Sequence, residues 1–197
     1  DQILEFEAMG GQMGVLVQDL EAFSTTVANL DVATNIDAED VAIELGKMAS
    51  ILELSSDEYD NFADSLVRLG NNTATTESAI MNVAQRMSSV ANVTSMSTPE
   101  LLAWSAAIAS TGQRSESAAT AINNTITGIG AAVSKGGDTL NQFAAIANMS
   151  ADEFKAAWAN SSSDALRAFV EGLGRLTDDS TAAIEALGGF PQRTPLN

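Results

Sequence analysis

The sequence predicts an all-α fold, an irregular bundle of about nine or ten short to medium helices. Three observations predict it: apolar residues recur at helical spacing, serine–glutamate capping boxes mark helix starts, and only three prolines interrupt 197 residues. No stretch alternates convincingly with the period of two that a half-buried strand requires.

The starts come first. Ser55-Ser56-Asp57-Glu58, Ser97-Thr98-Pro99-Glu100 and Ser150-Ala151-Asp152-Glu153 each set a serine three residues before a glutamate. In that arrangement the hydroxyl accepts the third helical amide, and the carboxylate accepts the amide of the serine itself. Asp37 with Asp40 is a weaker version, and Pro99 suits a first turn, where its missing donor costs nothing. The boxes differ in spacing and the segments between them do not align, so they do not read as an internal repeat.

The helical faces follow. Val41, Leu45, Met48 and Leu52 recur at intervals of four, three and four; Tyr59, Phe62, Leu66 and Leu69 recur at three, four and three. Ile80, Ala84, Met87 and Ala91 continue the pattern, as do Ala119, Ile122, Ile126, Ile129 and Val133, then Leu166, Phe169, Val170 and Leu173. Stops are expected at Gly70-Asn71-Asn72, Gly112, Gly136-Gly137 and Gly188-Gly189, where glycine takes the left-handed conformation cheaply. One helical domain is expected over residues 1–187, with a subdivision near 92–98, and an irregular tail over 188–197. The chain opens at Asp1 without a methionine or a signal-peptide pattern and reads as a segment of something larger.

Composition sets limits on function. Apolar residues make up 45% of the chain, but 33 of them are alanines and only ten residues are aromatic. Alanine favours helix and buries little surface, so thin helices around several small clusters are expected. The formal charge of −17 opposes binding to a phosphate backbone or an anionic membrane surface. Between Ser88 and Gly137 only Glu100, Arg114, Glu116 and Lys135 are charged. The uncharged run Ser117–Ser134 carries Thr120, Asn123, Asn124, Thr125 and Thr127, too polar for a lipid-facing helix. It is expected to pack among neighbours, or to offer a low-charge face to another subunit.

The chain offers no catalytic, cofactor-binding or metal-ligating residue to nominate, and an enzyme is not expected. Cysteine and histidine are absent, which removes thiolate nucleophiles and Cys/His zinc sites. The acid pairs Asp57/Glu58, Asp152/Glu153 and Asp178/Asp179 are adjacent residues at helix starts, where they diverge by about 100° and complement the dipole. Lys135-Gly136-Gly137 lacks phosphate-loop spacing, and no Ser-x-x-Lys pair occurs. Trp104 and Trp158 fall within helical patterns and are expected to anchor the core.

Several phrases resemble the phage tail tape measure proteins. Phe23-Ser24-Thr25-Thr26-Val27-Ala28-Asn29-Leu30, followed by Val32-Ala33-Thr34-Asn35, is similar to that family's opening helix. Leu69-Gly70-Asn71-Asn72-Thr73-Ala74-Thr75-Thr76-Glu77-Ser78, leading through Ile80 to Ala84-Gln85-Arg86, resembles its most recognisable stretch. Gln142-Phe143-Ala144, then Met149 to Lys155, then Ala168-Phe169-Val170-Glu171-Gly172-Leu173-Gly174, resembles a third. The matches run in order over residues 20 to 187; Gly189-Phe190-Pro191-Gln192-Arg193-Thr194-Pro195 departs from the pattern.

The resemblance implies a structural and assembly domain that helps to set tail length and is later ejected during DNA delivery. It implies a place in the tail lumen of the virion, and in host cytoplasm during assembly. The implied partners are other copies of the chain (most often three), tail tube and tail tip proteins, and tail assembly chaperones. No direct nucleic-acid binding is expected, no cofactor is implied, and membrane contact would come only on ejection. The alternative reading is a membrane-active or secreted helical effector using the low-charge region 88–137.

Overall fold

The computed structural model describes residues 2–34 and 36–176. Among them are ten α-helices, one short 3-10 turn and no strand, so the expected all-α class holds. The helices are α1 (Gln2–Met13), α2 (Leu20–Ala33), α3 (Ala38–Leu52), α4 (Ser56–Asn72), α5 (Glu77–Val93), α6 (Thr98–Ala109), α7 (Ser115–Lys135), α8 (Asp138–Ile146), α9 (Ala151–Asn160) and α10 (Ser162–Leu176). The 3-10 turn, Val17–Asp19, leads directly into α2. The tail expected over 188–197, the Asp178/Asp179 pair and Gly188-Gly189 lie outside the described residues.

The chain divides into two compact units, residues 1–123 and residues from 124 onward, with the division inside α7. The stretch 92–98, expected as a point of subdivision, is the corner between α5 and α6, and these two helices pack on each other within the first unit.

Three corners share one local design. At each, the amide of an apolar residue reaches back to an alanine carbonyl five residues earlier: Leu54 to Ala49 at 3.1 Å, Met96 to Ala91 at 3.0 Å, Met149 to Ala144 at 2.9 Å. The residue before each apolar one takes positive φ: Glu53 at 54°, Ser95 at 52°, Asn148 at 58°. This is the six-to-one closure of a Schellman stop. The serine of the next capping box follows at once, and all three boxes form as expected. Glutamate Oε2 accepts the serine amide and hydroxyl at 2.9 and 2.8 Å for Ser55–Glu58, and at 2.9 and 2.6 Å for Ser97–Glu100. Thus a ten-residue phrase, from buried alanine to box glutamate, ends one helix and begins the next in all three places. The boxes are therefore the second halves of a recurring corner, which their unequal separations had concealed.

The corners also fix what is buried. The residue after each box glutamate is Tyr59, Leu101 or Phe154, each at most 1% exposed. With the apolar residue before the cap, it occupies the positions of a hydrophobic staple, which sets the entry angle of the chain. In the first unit α2 packs on α4, α3 on α5, and α1 on both α2 and α3. Phe23, Leu30, Leu45, Met48, Phe62, Leu66, Ile80 and Met87 fill the spaces between them, each worth roughly 1.5–3 kcal/mol when fully buried. The second unit packs α8, α9 and α10 together, with Phe143 and Phe169 edge to face at 5.3 Å.

Some sequence expectations need correction. Leu52, Leu69, Ile122, Val133 and Leu173 are only half-buried, and Val170 is exposed, because real helix faces drift from an ideal stripe. Trp104 and Trp158 are half-buried too; the phenylalanines, which carry no polar ring atom, take the interior. Gly70 is not a left-handed stop. It lies inside α4, and its missing side chain makes room for the Glu77 side chain at the start of α5. Gly112, Gly136 and Gly137 do adopt positive φ, as expected.

Gly172 and Gly174, on the same helix, predict opposite responses. A methyl group on Gly172 would overlap the Ile146 carbonyl of α8, whereas one on Gly174 would meet nothing within 4 Å. Gly172→Ala should lower stability in thermal or urea unfolding by about 2 kcal/mol or more, as overpacking does. Gly174→Ala should leave it equal or raise it by up to ~1 kcal/mol through helix propensity.

Candidate functional site

Two of the acid pairs weighed from the sequence, Asp57/Glu58 and Asp152/Glu153, are committed to helix starts. Glu58 and Glu153 each close a capping box, and Asp57 and Asp152 are exposed beside them in the first turn. Hydrogen bonds from the Ser150 backbone, and then its hydroxyl, hold the Glu153 carboxyl below its usual range. Asp37 caps α3 by accepting the Glu39 amide at 3.0 Å. Lys135-Gly136-Gly137 is the glycine-ended close of α7, with Gly136 N–H on the Ala132 carbonyl at 2.7 Å. No group of acids among the described residues could hold a metal ion. No helix among them is long and apolar enough to cross a membrane, which includes α7.

The low-charge helix α7 buries Ala119 in the first unit, and Ile126, Ile129 and Ala132 in the second. Asn123, one of the residues that makes this run too polar for lipid, donates to the Arg86 carbonyl of α5 at 2.8 Å. Gly130 presents its bare backbone to Trp158 of α9, where a methyl group would sit 3.8 Å from the ring.

A cleft of about 550 Å³ in the first unit was not foreseen from the sequence. It lies where α1 ends, where the 3-10 turn enters α2, and where α3 turns into α4. Gly14 and Val15 form one wall, Ser50, Glu53 and Leu54 another, and Asp19 and Tyr59 also line it. Gly14 is needed for its left-handed backbone, φ 93°, which lets Val15 N–H return to the Gly10 carbonyl at 3.0 Å. Asp19 is 6% exposed, and its carboxylate accepts no hydrogen bond and forms no ion pair among the described residues. Tyr59, the single tyrosine of the chain, is 1% exposed, with its ring edge to face on Phe23 at 5.9 Å. Its hydroxyl is pushed up to about 12, first by burial and then by the negative charges of Asp19 and Glu58. The one sequence signal that bears on this place is the capping box at Ser55, which identifies the rim but not the cavity.

The family model for phage-related minor tail proteins matches residues 1–189. The chain belongs to that family. This phage tail chain is therefore a structural component of a tail, with a wholly helical described fold. No curated protein and no solved structure matches it.

Tyr59 gives the tail chain a defined alkaline response. Its folded ionisation lies near 12, above the ordinary value of 10.0. An unfolded chain releases this proton first, so the stability due to the buried neutral phenol is complete below pH 10 and is lost as the pH rises towards 12. Unfolding midpoints in urea should fall over that window in the native chain, and should fall less in Tyr59→Phe.

Proposed function

We propose that this chain is a structural and assembly domain of a tail tape measure protein, which helps to set tail length and assemble the tail tube and is later ejected during DNA delivery. The observation that carries the reading is a minor-tail family match over residues 1–189 on a chain whose described elements are helices joined by short turns. The ordered resemblance over residues 20 to 187 supports reading that role as the tape measure type.

The physical character of the chain supports this. The described helices are joined by short connections, and each unit buries its own few large side chains. A charge of −17 keeps DNA passing through the same lumen from adhering. The role requires no catalytic step, and the domain acts by binding: to other copies of itself (three in the proposed assembly), to tail tube and tail tip proteins, and to assembly chaperones in the host cytoplasm. The alternative, a membrane-active effector using 88–137, is disfavoured because α7 buries Ala119, Ile126, Ile129 and Ala132, and no described helix is long and apolar enough to cross a membrane.

The test is genetic and visual. In a phage carrying this gene, in-frame deletions and duplications of helical segments in the same reading frame should shorten and lengthen the tail in proportion to the residues changed, as measured by electron microscopy. Tails of unchanged length would refute the tape measure role while leaving the family membership intact.

A further inference from the structure

We infer that the cleft lined by Asp19 and Tyr59 is a receptor for a cationic side chain, an arginine or lysine carried between apolar residues on a segment of a partner protein. The inference stands apart from the tape measure reading and concerns a site on the first unit alone.

Charge complementarity begins with Asp19. The residue is 6% exposed, and among the described residues no donor or cation meets its carboxylate. It lines the cleft as an acceptor whose charge is left for a group from outside to answer.

The surroundings reinforce the sign. Two helix C-termini end at the cleft, α1 at Gly14 and α3 at Glu53, and neither has a basic residue in its last turn. The carbonyl ends of the two helix dipoles contribute partial negative charge. The N-terminus of α4 also reaches the rim, but its capping box already satisfies the first donors with Glu58. Glu53 adds an exposed carboxylate, and no lysine or arginine lines the cleft. The wider field agrees: residues 1–64 hold fifteen acids and one base, Lys47.

The cleft also has an apolar rim. Leu16 is 63% exposed on the cleft wall, and Val17 beside it is 87% exposed. A bare inorganic cation would gain nothing from these side chains. A guanidinium or ammonium group on an aliphatic stem, with apolar neighbours, would gain from both parts, since such stems cover apolar surface while the charged head is bound. The cleft volume of about 550 Å³ is ample for one such side chain.

The experiment uses the full chain and two probes, the capped tripeptide leucine–arginine–leucine and the same tripeptide with neutral citrulline replacing arginine. Amide shifts are followed by NMR during titration of each. The expected result is saturable shifts confined to residues 14–19 and 50–59, with citrulline binding weaker by about tenfold or more. Asp19→Asn should weaken arginine binding by a similar factor, and Glu53→Gln by about two- to threefold, as for a more exposed charge. Equal binding of the two peptides, shifts that do not saturate, or unchanged affinity in both variants would overturn the proposal. So would calcium chloride displacing the arginine peptide at a concentration where sodium chloride of equal ionic strength does not, which would make the site a metal site. Circular dichroism checks that each variant folds. Should Asp19→Asn fail to fold, the exposed Glu53→Gln decides alone: weaker binding supports the site, and unchanged binding removes it.

Discussion

The hydrogen bond from an apolar residue's amide to an alanine carbonyl five residues back sets the architecture of this chain. Leu54 on Ala49, Met96 on Ala91 and Met149 on Ala144 each reverse the backbone in the space of one left-handed residue. The alanines are buried, at 4%, 1% and 1% exposure, while Glu53, Ser95 and Asn148 are exposed, so each turn lies at the surface over a small buried side chain. Each corner then hands over to a serine whose box glutamate settles the first donors of the following helix. Stop and start are adjacent, so the directions of successive helices are defined before any distant contact is made. The packing of α5 on α6 and of α8 on α9, across two of these corners, follows from those directions.

How much of this the sequence disclosed depends on how local each signal is. The boxes were readable because serine and glutamate act on one another across three residues. The stops were not, because Glu53, Ser95 and Asn148 occupy a conformation ordinarily associated with glycine, and residue type alone does not announce it. Glycine itself misled at Gly70, where it answers to a neighbour's side chain rather than to backbone geometry. Apolar spacing identified the interior of α3, α4 and α5 but overreached at helix ends, where Leu52 and Leu69 are only half-buried. The boundary within α7 has no mark in composition: it falls between Asn123 and Asn124, two like residues inside one helix.

The cleft escaped sequence reading for a related reason. Asp19 belongs to no spaced pattern, and Tyr59 is simply one more member of an apolar stripe when α4 is viewed alone. Only the meeting of α1, the 3-10 turn and the α3–α4 corner gives either residue its environment. That corner thus has two consequences: it turns the chain, and it leaves the end of α3 facing a buried carboxylate. On the inference drawn from the cleft, an acidic receptor beside exposed Leu16 and Val17 is where the chain's charge becomes selective.

The corners bear, finally, on how such a chain recovers its shape. Each closes within ten residues, Ala49 to Glu58, Ala91 to Glu100 and Ala144 to Glu153. Contacts so close in sequence carry little loop-closure entropy and lower the contact order that governs folding speed. A chain emerging from the ribosome can form these bends one by one while its helices are still apart. Their memory of direction is stored locally, so the fold is rebuilt by hinges that need no knowledge of the whole.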